Sequence, residues 1–198
     1  GSNVVALQLM TRPYHSIFCA ETAHIYVDEC GSPVKMTGCQ ICPIATPDGK
    51  LTPELMQPYL HGFGDQHHSQ PRALYISQCT ELGTIYTPEE LKRLTDFAHL
   101  NGMYVHMDGA RIANACAALN LSLKELTVDC GVDILSFGGT KNGLMMGECV
   151  IVFNKDLQPE ARFIRKQSAQ LASKMRYLSC QFTAYLTDNL WLKNANHA

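Results

Sequence analysis

The stretch TPEELKRLTDFAHLNGMYVHMDGAR, residues 87–111, decides how the chain folds. Thr87 offers a hydroxyl to cap a helix, and Pro88 takes the first helical position, where a missing N–H does no harm. Glu90 completes a capping box. Leu91, Leu94, Phe97 and Ala98 then share one helical face, and Asn101-Gly102 supplies the stop. MYVHM follows as a strand and runs into the polar group Asp108-Gly109-Ala110-Arg111. A capped amphipathic helix joined to an apolar strand by so short a stop is half of a repeating βα unit.

The flanking sequence extends the pattern both ways. Upstream, SIFCA (16–20) and RALYISQ (72–78) read as strands, and ETAHIYVDEC after the first is helical or irregular. VKMTG and CQICPIAT suggest a strand pair closed by the turn residues PDGK, and Thr52-Pro53-Glu54 opens a helix. Downstream, the pattern predicts a helix over Ile112–Leu119 and a short one capped by Ser122 with Glu125. Strands follow at DILSFG (133–138) and ECVIVF (148–153), then a helix from about Leu157 to Tyr177. Strands alternating with helices over short connections imply an α/β fold, a mostly parallel sheet sandwiched between helices.

At 198 residues and 46% hydrophobic, the chain can bury one sizeable core. A net charge of −2, with sixteen basic residues spread along the sequence, leaves no footprint for nucleic acid or an anionic membrane surface. No apolar run is long enough to span a bilayer and no targeting segment opens the chain, so a cytoplasmic protein is the expectation. Nine cysteines at irregular spacing do not form a disulfide framework. Cys39 and Cys42 make a lone C-x-x-C with no second half to complete a metal site, and read as buried thiols in a reducing compartment. The sequence opens on Gly1-Ser2 without a methionine and stops at Asn196-His197-Ala198 inside a helical pattern, which reads as a chain truncated at both ends.

In open α/β sheets, ligands sit at the carboxyl ends of the strands. Two polar clusters fall there, Asp108 to Arg111 and GGTKNG at 138–143. Lys141, in a glycine-flanked loop after an apolar strand, would present an amine at the ligand face, and Asp108 a carboxylate at the same rim. Pyridoxal-phosphate chemistry uses such a pair. The amine condenses with the cofactor aldehyde, and the carboxylate keeps the pyridine nitrogen protonated so that the ring can accept electrons. Taken singly, each has an ordinary explanation: Asp-Gly is a common turn, and an exposed lysine is usually a solvated charge. GGTKNG is not a phosphate-binding P-loop, because the spacer between glycines and the Lys-Ser or Lys-Thr ending are both missing.

HMDGARIANA (106–115) followed by GVDILSFGGTKNGLMMGE (131–148) resembles the threonine aldolases of the β-eliminating-lyase branch of fold-type I pyridoxal-phosphate enzymes. So do CAETAHIYVDECGSP (19–33), ISQCTELGTIYTPEEL (76–91) and QLASKMRYLSCQ (170–181), in the right order along nearly the whole chain. The resemblance implies a three-layer α/β/α large domain with a mixed, mostly parallel sheet. Residues 1–155 would be the cofactor-binding core, and 156–198 a long helical segment leading toward a small C-terminal domain.

Carried over position by position, the resemblance makes Lys141 the cofactor-bearing lysine and Asp108 the partner of the ring nitrogen. Arg111 would sit beside the cofactor and the substrate carboxylate, unless it merely pairs with an acid at the helix start. His24, in the A-H-I motif, would stack on the cofactor ring. His67, with His68 beside it, would supply a second active-site histidine near the substrate hydroxyl and take its proton. Arg176 would help hold the cofactor phosphate, in some members across a subunit contact. Ser77, Gln78 and Glu81 belong to a motif at a strand end, near the site but without a stated role. Gly1 to Val5 resembles the end of a Gly-Thr-x-x-Asn-like turn whose helix cradles the phosphate, and Gly-Ser is also a common tag remnant.

The implied activity is cleavage of L-threonine or L-allo-threonine to glycine and an aldehyde by a homo-oligomer, a dimer or tetramer, acting on a small amino acid. The rivals are β-elimination, racemisation or transamination on the same scaffold, or a non-catalytic fragment.

Overall fold

The computed structural model describes residues 1–198. Six strands form one sheet: β1 His15–Ala20, β2 Gln40–Ile44, β3 Gln70–Ser77, β4 Tyr104–Gly109, β5 Ile134–Gly138 and β6 Glu148–Val152. Their order is β2-β1-β3-β4-β5-β6; the first five are parallel and β6 runs antiparallel beside β5. The chain steps outward from β1 to β2 and then crosses back to place β3 on the other side of β1, so the strand order reverses between β1 and β3.

Side chains on a strand alternate between its two faces, and here both faces are covered. Phe18, Leu74, Ile76, Val105, Met107, Leu135 and Phe137 face one core with α5 (Pro88–Leu100) and α6 (Ile112–Leu119). Ile17, Cys19, Ala73, Tyr75 and Ile134 face a second core with α1 (Ser2–Met10). This is the three-layer architecture expected from the βα alternation. α1 is enclosed on all sides, by the sheet, by α3 (Ser32–Thr37) and by α7 (Gln158–Gln167). Seven of its nine residues are accordingly buried, with no polar stripe to betray a helix in the sequence.

α5 forms as the cap residues dictate. The Glu90 amide donates to Thr87 Oγ1 at 3.3 Å and the Thr87 amide to Glu90 Oε2 at 2.8 Å, while Leu91, Leu94 and Ala98 are buried. The remaining helices are α2 (His24–Val27), α4 (Pro53–Met56), α8 (Arg176–Leu186) and α9 (Leu190–His197).

Three expectations are corrected. Val34–Gly38, read as a strand, lies in α3 and its stop: Pro33 sits in the first turn, and Gly31 and Gly38 bracket the helix at φ +68° and +72°. Those punctuating residues outweigh the β-preference of Val34 and Thr37. Ser122 and Glu125 do exchange hydrogen bonds, but only a turn results, followed by a 3-10 segment at Val128–Cys130. The helix expected from Leu157 to Tyr177 is broken into α7 and α8, with Ala169 and Lys174 between them in the left-handed region at φ +58°.

Thr87→Ala removes the N-cap acceptor of α5. We expect a loss of about 1 kcal/mol of stability, read as a lower urea midpoint at unchanged slope.

Candidate active site

The carboxyl ends of β1, β3, β4 and β5, together with the start of β6, lie along one edge of the sheet. Asp108 ends β4 between Ser77 of β3 and Ser136 of β5 and is 9% exposed. Its Oδ2 accepts from the Tyr75 hydroxyl at 2.6 Å and from Asn3 Nδ2 at 2.9 Å, and its Oδ1 from the Ala110 amide at 2.9 Å. Burial by itself would push this carboxyl up. The bonds from Tyr75, Asn3 and Ala110, with His106 close by, outweigh burial and hold it below the ordinary carboxylate range. Asp108 is therefore a charged group kept in the interior. Burial first, then the neighbouring Asp108, pushes the Tyr75 hydroxyl far above its ordinary value, so it stays a donor.

Asn3 extends the network. Its second amide N–H donates to Glu29 Oε1 at 2.7 Å, and the same oxygen lies 3.0 Å from His24 Nδ1. Two carboxylates are thus bridged by one amide, and His24 is oriented by the second of them. The His24 ring, at the start of α2, keeps 39% of its side-chain surface open. Asn3 Oδ1 is buried with no donor at all.

Lys141 stands in a 3-10 turn, Thr140–Asn142, directly after β5. It is exposed, and its amine is engaged in neither a hydrogen bond nor an ion pair. The backbone beneath it is held firmly. Buried Asn142 donates to the Tyr185 hydroxyl at 2.5 Å and to Trp191 O at 2.8 Å, and Asn194 donates to Asn142 O at 3.0 Å. Gly138 brings this turn close to the one that follows Asp108: a Cβ there would lie 2.6 Å from Ala110 Cα. Glu148 Oε2 reaches to 3.0 Å from the same point. Desolvation pushes the Glu148 carboxyl up against a hydrogen bond from Thr140; the charge of Asp108 adds to the rise and that of Lys141 opposes it.

The structure thus brings Lys141, Asp108 and His24 to one edge. Arg111 is there too, half-buried just before α6. Its guanidinium has no acid partner, so the alternative of a structural ion pair does not hold. Arg176 begins α8, exposed, with its guanidinium 5.1 Å from the Tyr177 ring centre, and touches neither Asp108 nor Lys141. His67 is a correction. It is exposed in the turn before β3, where its amide donates to Asp65 Oδ1 at 2.9 Å. That turn lies at the amino end of β3, roughly 23 Å of strand away from Ser77. Within this chain His67 therefore lies apart from Asp108 and Lys141.

Asn3, Tyr75, Glu29 and Glu148 were not singled out from the sequence. Tyr75 carries the one available signal, a hydroxyl two residues before Ser77 on the same strand face. The others come to the site from elements whose packing no local pattern reveals. Two surface grooves lie elsewhere. One of about 330 Å³ runs beside Lys50, Tyr86 and Glu90, and one of about 470 Å³ lies at the amino edge between Arg12, His15, Arg72 and Tyr104.

Comparison with known proteins adds a lineage to this geometry. The family model described as beta-eliminating lyase matches residues 1–192. A low-specificity L-threonine aldolase of Pseudomonas aeruginosa is 43% identical over the whole of this chain and 58% of its own length. The solved structure of a threonine aldolase from Leishmania major superposes with a TM-score of 0.92 at 33% identity, covering 98% of this chain and 57% of that one. An aspartate aminotransferase of Thermus thermophilus shares the fold, with a TM-score of 0.71 at 13% identity over 98% of this chain and 53% of its own. The chain spans a little over half the length of the curated relatives it matches along its full extent.

His106 sits beneath the site, with Nε2 2.9 Å from Ser136 Oγ and Nδ1 buried without a partner. Burial pushes it down to about 4 from an ordinary 6.5, against the pull of Asp108. The unfolded chain binds this proton first as pH falls, so the stability held by neutral His106 is complete above pH 6.5 and drains away toward pH 4. Between pH 7.5 and 4.5 we expect a loss of about 2–3 kcal/mol from this residue. Urea titrations at the two pH values should show the difference, and it should shrink in a His106→Phe variant.

Proposed function

The chain belongs to the β-eliminating lyase family, and from that premise we propose that it carries the active-site face of a pyridoxal-phosphate-dependent aldehyde-lyase. The substrates are L-threonine and L-allo-threonine, cleaved to glycine and an aldehyde. One observation carries the reading: an unengaged lysine after β5 shares an edge with a charged, buried aspartate at the end of β4. The resemblance of the whole chain to proteins named as threonine aldolases supports the choice of reaction.

The residues present fit the cofactor. A protonated pyridine nitrogen needs an anion, and Asp108 is held ionised where water is excluded. The orphaned Asn3 Oδ1 beside it is an unmet demand for a donor. Lys141 has an amine free to join the aldehyde, and the amides that open α1 suit a phosphate. His24, oriented by Glu29, is the group to lie against the ring. Arg176 as a second phosphate ligand rests on the sequence resemblance alone.

When bound, pyridoxal phosphate supplies a sink for the electron pair released as the Cα–Cβ bond breaks. The chain's own residues do the rest. Asp108 keeps a proton on the ring nitrogen, and Tyr75 and Asn3 keep Asp108 charged. Arg111 takes the substrate carboxylate, for which a guanidinium fork is shaped. Lys141, whose amine is free, would hold the cofactor. We place the protein in the cytoplasm as a homo-oligomer, on the strength of composition and resemblance. No helix is long and apolar enough to cross a membrane.

The test is a visible spectrum after incubation with pyridoxal phosphate, for the wild type and Lys141→Ala. We expect a violet band that the variant lacks, equal yields of glycine and acetaldehyde from threonine, and a fall in turnover of about a thousandfold in the variant, ~4 kcal/mol of barrier. Unchanged turnover in Lys141→Ala would overturn the proposal, and ammonia with no aldehyde would point to elimination instead.

A further inference from the structure

With His67 at the far end of β3, the proposed cleavage lacks a group to take the hydroxyl proton. The carboxyl edge holds a carboxylate arranged for that task. Glu81 lies in the loop that leaves β3, at the point between β1 and β3 where the strand order reverses and ligands of open α/β sheets bind. Its Oε1 accepts from Ser77 Oγ at 2.7 Å and from the His24 amide at 3.1 Å. Oε2 receives no hydrogen bond from the protein. Two donors on one oxygen fix the plane of the carboxylate and leave the other oxygen open.

The neighbouring carboxylates are placed for other tasks. Asp108 has donors on both oxygens, and Glu29, whose Oε2 is likewise open, is tied through Oε1 to Asn3 and to the side chain of His24, which it orients. Glu148 lies over Gly138 on the β5 side, with its carboxyl pushed toward the protonated form. Glu81 is also near enough to the Asp108 cluster for its charge to act on the Tyr75 hydroxyl.

We propose that Glu81 is the catalytic base that accepts the substrate's β-hydroxyl proton, with Ser77 as its positioning residue; the assignment rests on the lyase reading above. As the proton moves to Glu81 Oε2, the O–H pair becomes the second C–O bond of the aldehyde, and the Cα–Cβ pair stays with Cα. Cα then gains a proton, Glu81 gives its own to water, and the sum is threonine to glycine plus acetaldehyde.

The test uses Glu81→Gln and Ser77→Ala in cofactor-loaded protein, with three readouts: cofactor affinity from the visible band, exchange of the glycine Cα hydrogen for deuterium by NMR, and threonine cleavage. Exchange on glycine involves no hydroxyl. We expect Glu81→Gln to keep cofactor affinity and glycine exchange within about threefold, while cleavage falls about a hundredfold or more. Ser77→Ala should lose roughly tenfold in cleavage only, as expected for a misoriented base. Cleavage retained in Glu81→Gln overturns the assignment, as does a parallel fall in all three readouts, which would mark a structural role. Wild-type protein that takes up no cofactor overturns the lyase reading and this assignment with it.

Discussion

An ionised carboxylate taken out of water is destabilising by several kcal/mol unless donors replace its lost hydration. Asp108 sets that requirement at the end of a central strand, and three separate parts of the chain meet it. Tyr75 reaches across from β3, Ala110 turns its amide back from the residues that follow, and Asn3 comes from the first turn of α1. The Asn3 bond fixes how α1 lies against the sheet. Its second N–H then ties in Glu29, and through Glu29 the ring of His24. One buried charge thus positions a helix, a turn and a histidine that are far apart in sequence.

Lys141 is placed by a complementary device. Nothing grips its side chain, yet the turn that carries it is clamped through Asn142 to Tyr185, Trp191 and Asn194. The β5 end also presses against the β4 turn at Gly138, where no side chain fits. A free amine on a fixed backbone is what the proposed anchoring role calls for. Across the edge, Gln78 is buried and joined both ways to Tyr86, which ties down the loop carrying Glu81.

The division between the two sheet edges governs function more than distance along the chain does. Residues that end parallel strands gather at one edge, and residues that begin them gather at the other, about a strand length away. His67 and Glu81 flank the same strand, yet only Glu81 is on the side of Asp108. A histidine in a polar loop is the more conspicuous candidate in a sequence, but chain direction sets it apart from Asp108 within this chain.

The βα alternation, the capped α5, all six strands and the polar ends of β4 and β5 were legible in the sequence. Each rests on local periodicity or on punctuation by Pro, Gly and cap residues, and such signals act within a few residues of where they are written. The sequence by itself therefore determined the layer architecture and the pairing of Lys141 with Asp108. Only the tertiary structure decided which groups serve that pair. Asn3 and Tyr75 became partners because burial of Asp108 demanded donors, and the donors came from whichever elements packed there; Glu29 joined as the second acceptor of Asn3. The break between α7 and α8 was likewise settled by backbone turns that no local pattern announced, whereas the helical state of α3 follows from punctuation by Gly31, Pro33 and Gly38. Charge satisfaction in a buried site is a long-range constraint, and no short stretch of sequence records its solution.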